Sequence, residues 1–300
     1  MNFTMYFAGS QGEEFDITML DMGCARLFSQ LNDRKQIARH LDLLKNRDNK
    51  IFIDSGAYTA FNSGKEVDLD SYISYINEIG EHITCFANLD VIPKGSDAAS
   101  IRVGCEEGYK NFLYIQEHCK YGYKCNAVYH RKDPVEYLYK YIDFYKSHPD
   151  LKYIALGGMA TTNSDDALRF GHKYCDILKK HLPDVNIHLF GCTRLNHIEH
   201  INCDSTDSTT WIKASIYGTV ITPWGRLNIS DRRSDEKCSV HNFDEKSKQV
   251  VYKFIEGLGF TIDEIRNDPV KRIQYNVKYL IEWCKQYKYK PFARMKGTLI

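Results

Sequence analysis

A chain of 300 residues, 43% hydrophobic and 26% charged, has the make-up of an ordinary folded protein and is long enough to bury a sizeable core in one large domain or two modest ones. No run approaches the roughly 18 consecutive apolar residues that a membrane span needs. The opening Met1-Asn2-Phe3-Thr4 has neither the basic start nor the apolar centre of a signal peptide, so a cytoplasmic protein without membrane contact is expected. The net charge of +1 is unevenly placed: residues 231–300 hold 15 Lys/Arg against 10 Asp/Glu, or +5, and the rest of the chain carries −4. The ten cysteines are scattered singly, which suits reduced thiols better than a disulfide framework. Cys238 and His241 are the only pair at metal-like spacing, and two ligands without visible partners do not make a site.

Short β-prone runs alternate with amphipathic stretches. The sequence predicts strands over 5–8, 25–29, 51–54, 84–90, 126–130, 153–156, 187–190 and 200–204. Helices are expected over 34–45, 69–79, 98–118, 134–145 and 165–181. Strand, helix, strand, repeated, implies a parallel sheet. Eight such units in about 210 residues fit an α/β fold of the closed (β/α)8 barrel type, with an open doubly wound sheet as the fallback. No phosphate-binding fingerprint follows the first strand, where Ala8-Gly9-Ser10-Gln11-Gly12 is too weak to carry one.

Beyond residue 216 the pattern changes. Residues 216–228 read as a hairpin around Pro223-Trp224-Gly225, residues 230–248 as a polar mobile loop, and 246–257 and 270–286 as helices. The expected organisation is therefore a catalytic barrel over 1–228 and a basic, aromatic-rich helical extension over 229–300, packed on the barrel. Tyr252, Tyr275, Tyr279, Trp283, Tyr287, Tyr289 and Phe292 interleave with the tail's cations. That pattern fits a surface facing a polyanion, or an amphipathic face with its aromatics turned inward.

In a barrel, the loops that follow the strands form one mouth. The strands are expected to end in Asp54-Ser55-Gly56-Ala57-Tyr58, Asn88-Leu89-Asp90, Tyr129-His130-Arg131, Gly157-Gly158-Met159, Gly191, and finally Asp204 and Asp207. The last lie in Asn202–Trp211, a stretch with two carboxylates and five hydroxyls where a nucleophile is expected. A lone Asp at a strand end is usually a turn former or helix cap. Several carboxylates around paired glycines suit metal binding or glycosidic chemistry, in which one carboxylate attacks an anomeric carbon and another handles the proton. With only one His on the rim, glycosidic chemistry suits it better.

Asp54-Ser-Gly-Ala-Tyr58, Leu89-Asp90, Leu156-Gly-Gly-Met159, His188-Leu-Phe-Gly191 and Asp207-Ser-Thr-Thr-Trp211 stand in the order and at roughly the spacings of the tRNA-guanine transglycosylase superfamily, which the chain resembles over about residues 50–228. That superfamily exchanges a guanine in nucleic acid for a 7-deazaguanine on a (β/α)8 barrel. The compact form, with Tyr217-Gly218 after the last motif, is most similar to the phage and bacterial branch that modifies DNA. The resemblance implies Asp207 as nucleophile and Asp54 as general acid/base. It also implies Asp90 as acceptor for the pairing edge of the base, Tyr58 as a stacking platform, and Ser55, His130, Gly157, Gly158 and Met159 around the ring. Asp204 is expected to support Asp207 or to replace it as nucleophile.

The family's Cys-X-Cys-X-X-Cys zinc site is absent, so the resemblance implies no zinc, and DNA is favoured over tRNA as the partner polymer. Lys213, Arg226, Arg232 and Arg233 are expected on the phosphate backbone. Two further possibilities stay open. One is a nucleic-acid-binding barrel that supports a catalytic protein partner; the other is a sugar-active or metal-dependent barrel with a coincidentally similar rim.

Overall fold

The computed structural model describes residues 3–9, 12–31, 34, 37–38, 41, 48–159, 164–231 and 237–291. Arg232, Arg233, Phe292 and most of the predicted 34–45 helix lie outside them. Eight strands close into a parallel barrel in chain order: β1 (Thr4–Ala8), β2 (Ala25–Ser29), β3 (Ile51–Asp54), β4 (Cys85–Ala87), β5 (Cys125–His130), β6 (Tyr153–Gly157), β7 (Asn186–Leu189) and β8 (Ser205–Ser208). Side chains alternate between the two faces of each strand. One set, including Tyr6, Ala8, Leu27, Phe52, Cys85, Ala87, Val128 and Ala155, packs together as a buried cluster inside the barrel.

Helices α1 (Glu13–Asp21), α2 (Ala57–Asn62), α3 (Leu69–Ile79), α4 (Ala98–His118), α5 (Val135–Ser147), α6 (Ser164–His181) and α7 (Leu195–Ile198) fall between the strands. Local chemistry sets their starts. Asp68 and Asp97 cap α3 and α4 by accepting from the N–H groups of Ser71 at 2.7 Å and Ser100 at 2.9 Å. Tyr72, Ile73, Ile76 and Ile79 line the buried face of α3, and the Tyr72 hydroxyl donates to Ala87 O at 2.8 Å. α4 comes close to the loop after β4 because Gly104 lacks a side chain: a β-carbon there would stand 2.9 Å from Val91 O.

The last strand differs from expectation. β8 is Ser205–Ser208, not 200–204. The apolar run before it is a connector in which Ile198 and Ile201 are buried without pairing into the sheet. The polar Ser-Thr-Asp-Ser takes the closing position because the fully buried Thr206 hydroxyl meets Leu189 O at 2.8 Å and Cys192 O at 2.6 Å.

The chain divides into two compact units, one from Met1–Ala8, Ala25–Asp207 and Lys288–Ile300, the other from Gly9–Cys24 and Ser208–Tyr287. The 216–228 hairpin and α1 thus group with the C-terminal helices. This second unit holds α8 (Thr210–Ile216), the antiparallel pair β9 (Thr219–Thr222) and β10 (Gly225–Asn228), α9 (Glu245–Gly257), α10 (Ile262–Asn267) and α11 (Pro269–Gln286). Val220, Leu227, Ile229, Val240, Val251, Ile255, Ile265 and Tyr275 form its core. Tyr275 and Tyr279 of the aromatic tail are therefore buried. The expected mobile loop is anchored where it is described, with Ser239 and Val240 buried and Asn228 N–H donating to Cys238 O at 3.0 Å.

Candidate active site at the C-terminal rim of the barrel

Asp54, His130 and Asp207 each stand two residues beyond an inward-facing side chain, Phe52, Val128 and Ser205, so all three turn into the barrel at the ends of parallel strands. Asp207 Oδ1 accepts from the Gly191 N–H at 2.7 Å, where a φ of +68° turns the chain after β7. Its side chain is 16% exposed, and His188 Nε2 lies 3.5 Å from the same oxygen. The neighbouring Cys192 thiol is pushed up to about 12 by burial first and by the charge of Asp207 second, which leaves it unreactive.

Asp54 Oδ2 accepts from the Gly56 N–H at 3.1 Å in a turn that only glycine fits. Gly56 has φ +77°, and a β-carbon there would sit 2.7 Å from Leu31 Cβ. α2 starts at once and leaves Tyr58 60% exposed. Ser55 does not reach the rim. It is buried on the alternate face, its Oγ accepting from Ala57 N–H at 3.4 Å and its carbonyl from Gln30 Nε2 at 3.0 Å.

His130 is not offered to a ligand as a simple polar contact. Its Nε2 lies 3.0 Å from Asp90 Oδ2 and its Nδ1 3.6 Å from Asp133 Oδ2, while its backbone N–H donates to Asp133 Oδ2 at 2.8 Å. Burial disfavours the imidazolium, but the bonds and charges of Asp133 and Asp90 together outweigh it and raise the pKa to about 10. The His130 imidazolium thus bridges the carboxyl groups of Asp90 and Asp133.

Gly157 makes room for that ring rather than for an external base, since a β-carbon on it would stand 2.5 Å from His130 Cδ2. Gly158 takes φ +77° against Arg131, and Met159 is buried. A cavity of about 390 Å3 is lined by Asn88, Asp90, His130, Arg131 and Gly158 among others. Asp54, Tyr58, Gly157, Met159 and Asp207 do not line it.

Asp204 does not stand beside Asp207, contrary to expectation. It precedes β8, at the N-terminal end of the barrel, where its Oδ2 meets Lys179 Nζ at 2.6 Å and the Ile187 N–H at 2.7 Å. Its carbonyl accepts from Thr4 N–H at 3.0 Å. Asp207 lies three positions further along the chain, about 10 Å up the barrel wall.

Sequence reasoning missed two contributors. Asp133 stands three residues past His130, a spacing that a turn brings back onto the strand end. His188 opens one of the motifs but carries no expected role, and the register of β7 against β8 sets it beside Asp207. In the second unit Lys213 and Arg226 are exposed. Cys238 is exposed, and His241 Nε2 faces Asp231 Oδ1 at 3.2 Å. Among the described residues no group of three or more His, Cys, Asp or Glu is arranged to hold a metal ion. No protein-family model matches the chain, and no curated protein matches it either.

Proposed function

We propose that the barrel is a base-exchange transglycosylase that replaces guanine in nucleic acid, DNA in preference to tRNA, with a 7-deazaguanine such as preQ0. The single observation that carries the reading is the setting of Asp207. The Gly191 N–H fixes one carboxylate oxygen, and the other has no hydrogen-bond partner among the described residues, on a rim that Asp54 also faces. A carboxylate so held is suited to attack.

In the proposed reaction Asp207 Oδ2 bonds to C1′ of the target nucleotide as the C1′–N9 bond breaks, and Asp54 gives the departing guanine its proton. The incoming deazaguanine then returns a proton to Asp54 and attacks C1′, and the ester electrons go back to Asp207. Asp90, oriented by His130, accepts from the N–H groups of the base's pairing edge. Exposed Tyr58 offers its ring for stacking. Flipping or single-stranded substrate is needed to reach a glycosidic bond. Lys213 and Arg226 would neutralise phosphates.

The similarity of five short motifs to the tRNA-guanine transglycosylase superfamily supports this reading, and the missing cysteine cluster favours DNA over tRNA. The test is nucleoside mass spectrometry of DNA and tRNA from cells that express the protein and are supplied with a deazaguanine. Modified DNA is the expected result, modified tRNA would reassign the polymer, and finding neither modified would overturn the reading. An adduct between protein and nucleic acid that survives denaturation, and vanishes in Asp207→Ala, would identify the nucleophile.

A further inference from the structure

We infer that His188 is a positioning residue for Asp207: its Nε2–H closes onto Asp207 Oδ1 during the reaction, fixing the carboxylate for attack and stabilising its charge when it leaves. The inference rests on the reading of Asp207 as nucleophile.

His188 points into the barrel from the middle of β7, and only 2% of it is exposed. An apolar side chain is the ordinary occupant of such a place, because an imidazole loses its hydration there and needs partners in return. Rings pack on it from three strands or strand ends: Tyr6 at 5.8 Å, Phe52 at 4.7 Å and Phe190 at 4.6 Å between centroids. These contacts hold the ring plane so that its two nitrogens face different residues of β8.

Nδ1 lies 2.9 Å from Ser205 Oγ, and Nε2 lies 3.5 Å from Asp207 Oδ1. The second approach is too long to be a formed hydrogen bond, so Nε2 is a buried polar atom with no hydrogen-bond partner among the described residues, directed at the proposed nucleophile. Catalytic hydrogen bonds are often long in the free enzyme and tighten on the reaction path. A shift of about 0.5 Å in Asp207 brings this one to normal length. On the other side, His188 and Ser205 line a cavity of about 290 Å3 with Thr4, Lys50 and Asp204, so the imidazole lies between that space and Asp207.

The proton is assigned by chemistry. Burial, outweighing the pull of Asp207, holds the pKa below the usual histidine value, so the ring is neutral and carries one N–H. With Ser205 donating its O–H to Nδ1, that N–H is on Nε2. When Oδ2 bonds to C1′, Oδ1 becomes the ester carbonyl oxygen. When the incoming base attacks C1′, the C1′–O bond breaks and its electron pair returns to the carboxylate. The Gly191 and His188 N–H groups receive the charge that develops there, and His188 transfers no proton in either step. Breakdown of the adduct should therefore depend on His188 more than its formation does.

The experiment follows adduct formation and decay separately in full-length wild-type protein and in His188→Phe, His188→Gln and His188→Asn, with folding checked by circular dichroism. Gln can place an N–H near the Nε2 position, whereas Asn reaches only the Nδ1 position. His188→Phe and His188→Asn are expected to slow adduct decay about ten- to a hundredfold, the range that loss of one hydrogen bond to a charged group gives. Base affinity should be unchanged, and Gln should restore decay to within a few fold. Should Phe fail to fold, the Gln and Asn pair decides. Equal decay in Gln and Asn, or wild-type decay in folded Phe, would overturn the proposal. Base exchange that persists in Asp207→Ala would instead remove the underlying assignment of the nucleophile, whatever the His188 variants do.

Discussion

His130 Nε2 stands 3.0 Å from Asp90 Oδ2. Together with Asp133 on the ring's other side, that contact keeps the histidine cationic at neutral pH against the burial that opposes it, and orients Asp90 as an acceptor. A group whose pKa is raised on folding stabilises the native state fully below its unfolded value of about 6.5. With the native value at about 10, that contribution is lost as pH climbs between the two. Thermal melts of wild type and His130→Gln at stepped pH should show a gap that is widest at pH 6 and narrows steadily toward pH 10. A gap that grows with pH would mean the ring is neutral in the native protein.

Gly157 should be tightly coupled to the same ring. Gly157→Ala puts a methyl group 2.5 Å from His130 Cδ2, an overlap that neither strand backbone nor a doubly held ring can absorb cheaply. A loss of about 1–3 kcal/mol is expected. In the double variant with His130→Ala much of that loss should disappear. Denaturant titration of the four proteins gives the coupling energy, and strict additivity would show that the ring is free to move aside.

Asp204 offers a contrast with Asp207. Asp204→Ala removes the ion-pair partner of Lys179 and the acceptor of the Ile187 N–H, and should cost about 1–3 kcal/mol of stability. It should leave adduct formation at temperatures well below melting within a few fold of wild type. Asp207→Ala should do the reverse, ending adduct formation with a smaller effect on stability. Loss of the adduct in a folded Asp204→Ala protein would reopen the choice of nucleophile.

Asn276 is the polar knot of the second unit. Fully buried on α11, it donates to Ser215 Oγ at 2.8 Å and to Trp211 O and Thr219 O at 3.3 Å, and accepts from Ile221 N–H at 2.7 Å. Asn276→Leu takes the acceptor from the Ile221 N–H and a donor from three oxygens in a dry interior, and should cost about 3 kcal/mol or more. Chemical denaturation read at a tryptophan is a direct check, since Trp211 is buried in the same unit and stacks on Phe15 at 5.7 Å.

The sequence pattern located seven of the eight strands, because their apolar residues are concentrated enough to be seen without the fold. The eighth escaped for a physical reason. Ser205-Thr206-Asp207-Ser208 has no hydrophobic signature, and what makes it a strand is the pair of vacant edges it fills, whereas the apolar stretch before it is buried as a connector. That four-residue slip placed Asp204 on the wrong end of the barrel. Rim residues carried by confidently read strands, Asp54 and His130 among them, were legible as positions but not as pairs. The return of Asp133 onto His130 is set by a turn, and the approach of His188 to Asp207 by the register of β7 against β8.

The bond from Thr4 N–H to Asp204 O spans 200 residues of chain and lies at the seam where the barrel shuts. Loop-closure entropy makes contacts of such range slow to form. Because β8 has little strand propensity of its own, it can settle only when β1 and β7 already stand in place. Asp207 is consequently expected to be placed last, so that a nascent or partly unfolded chain has Asp54 and Asp90 near their strands before it has the proposed nucleophile. Appearance of adduct-forming capacity during refolding thus reports the final cooperative event of the barrel, and should lag behind the recovery of helical signal.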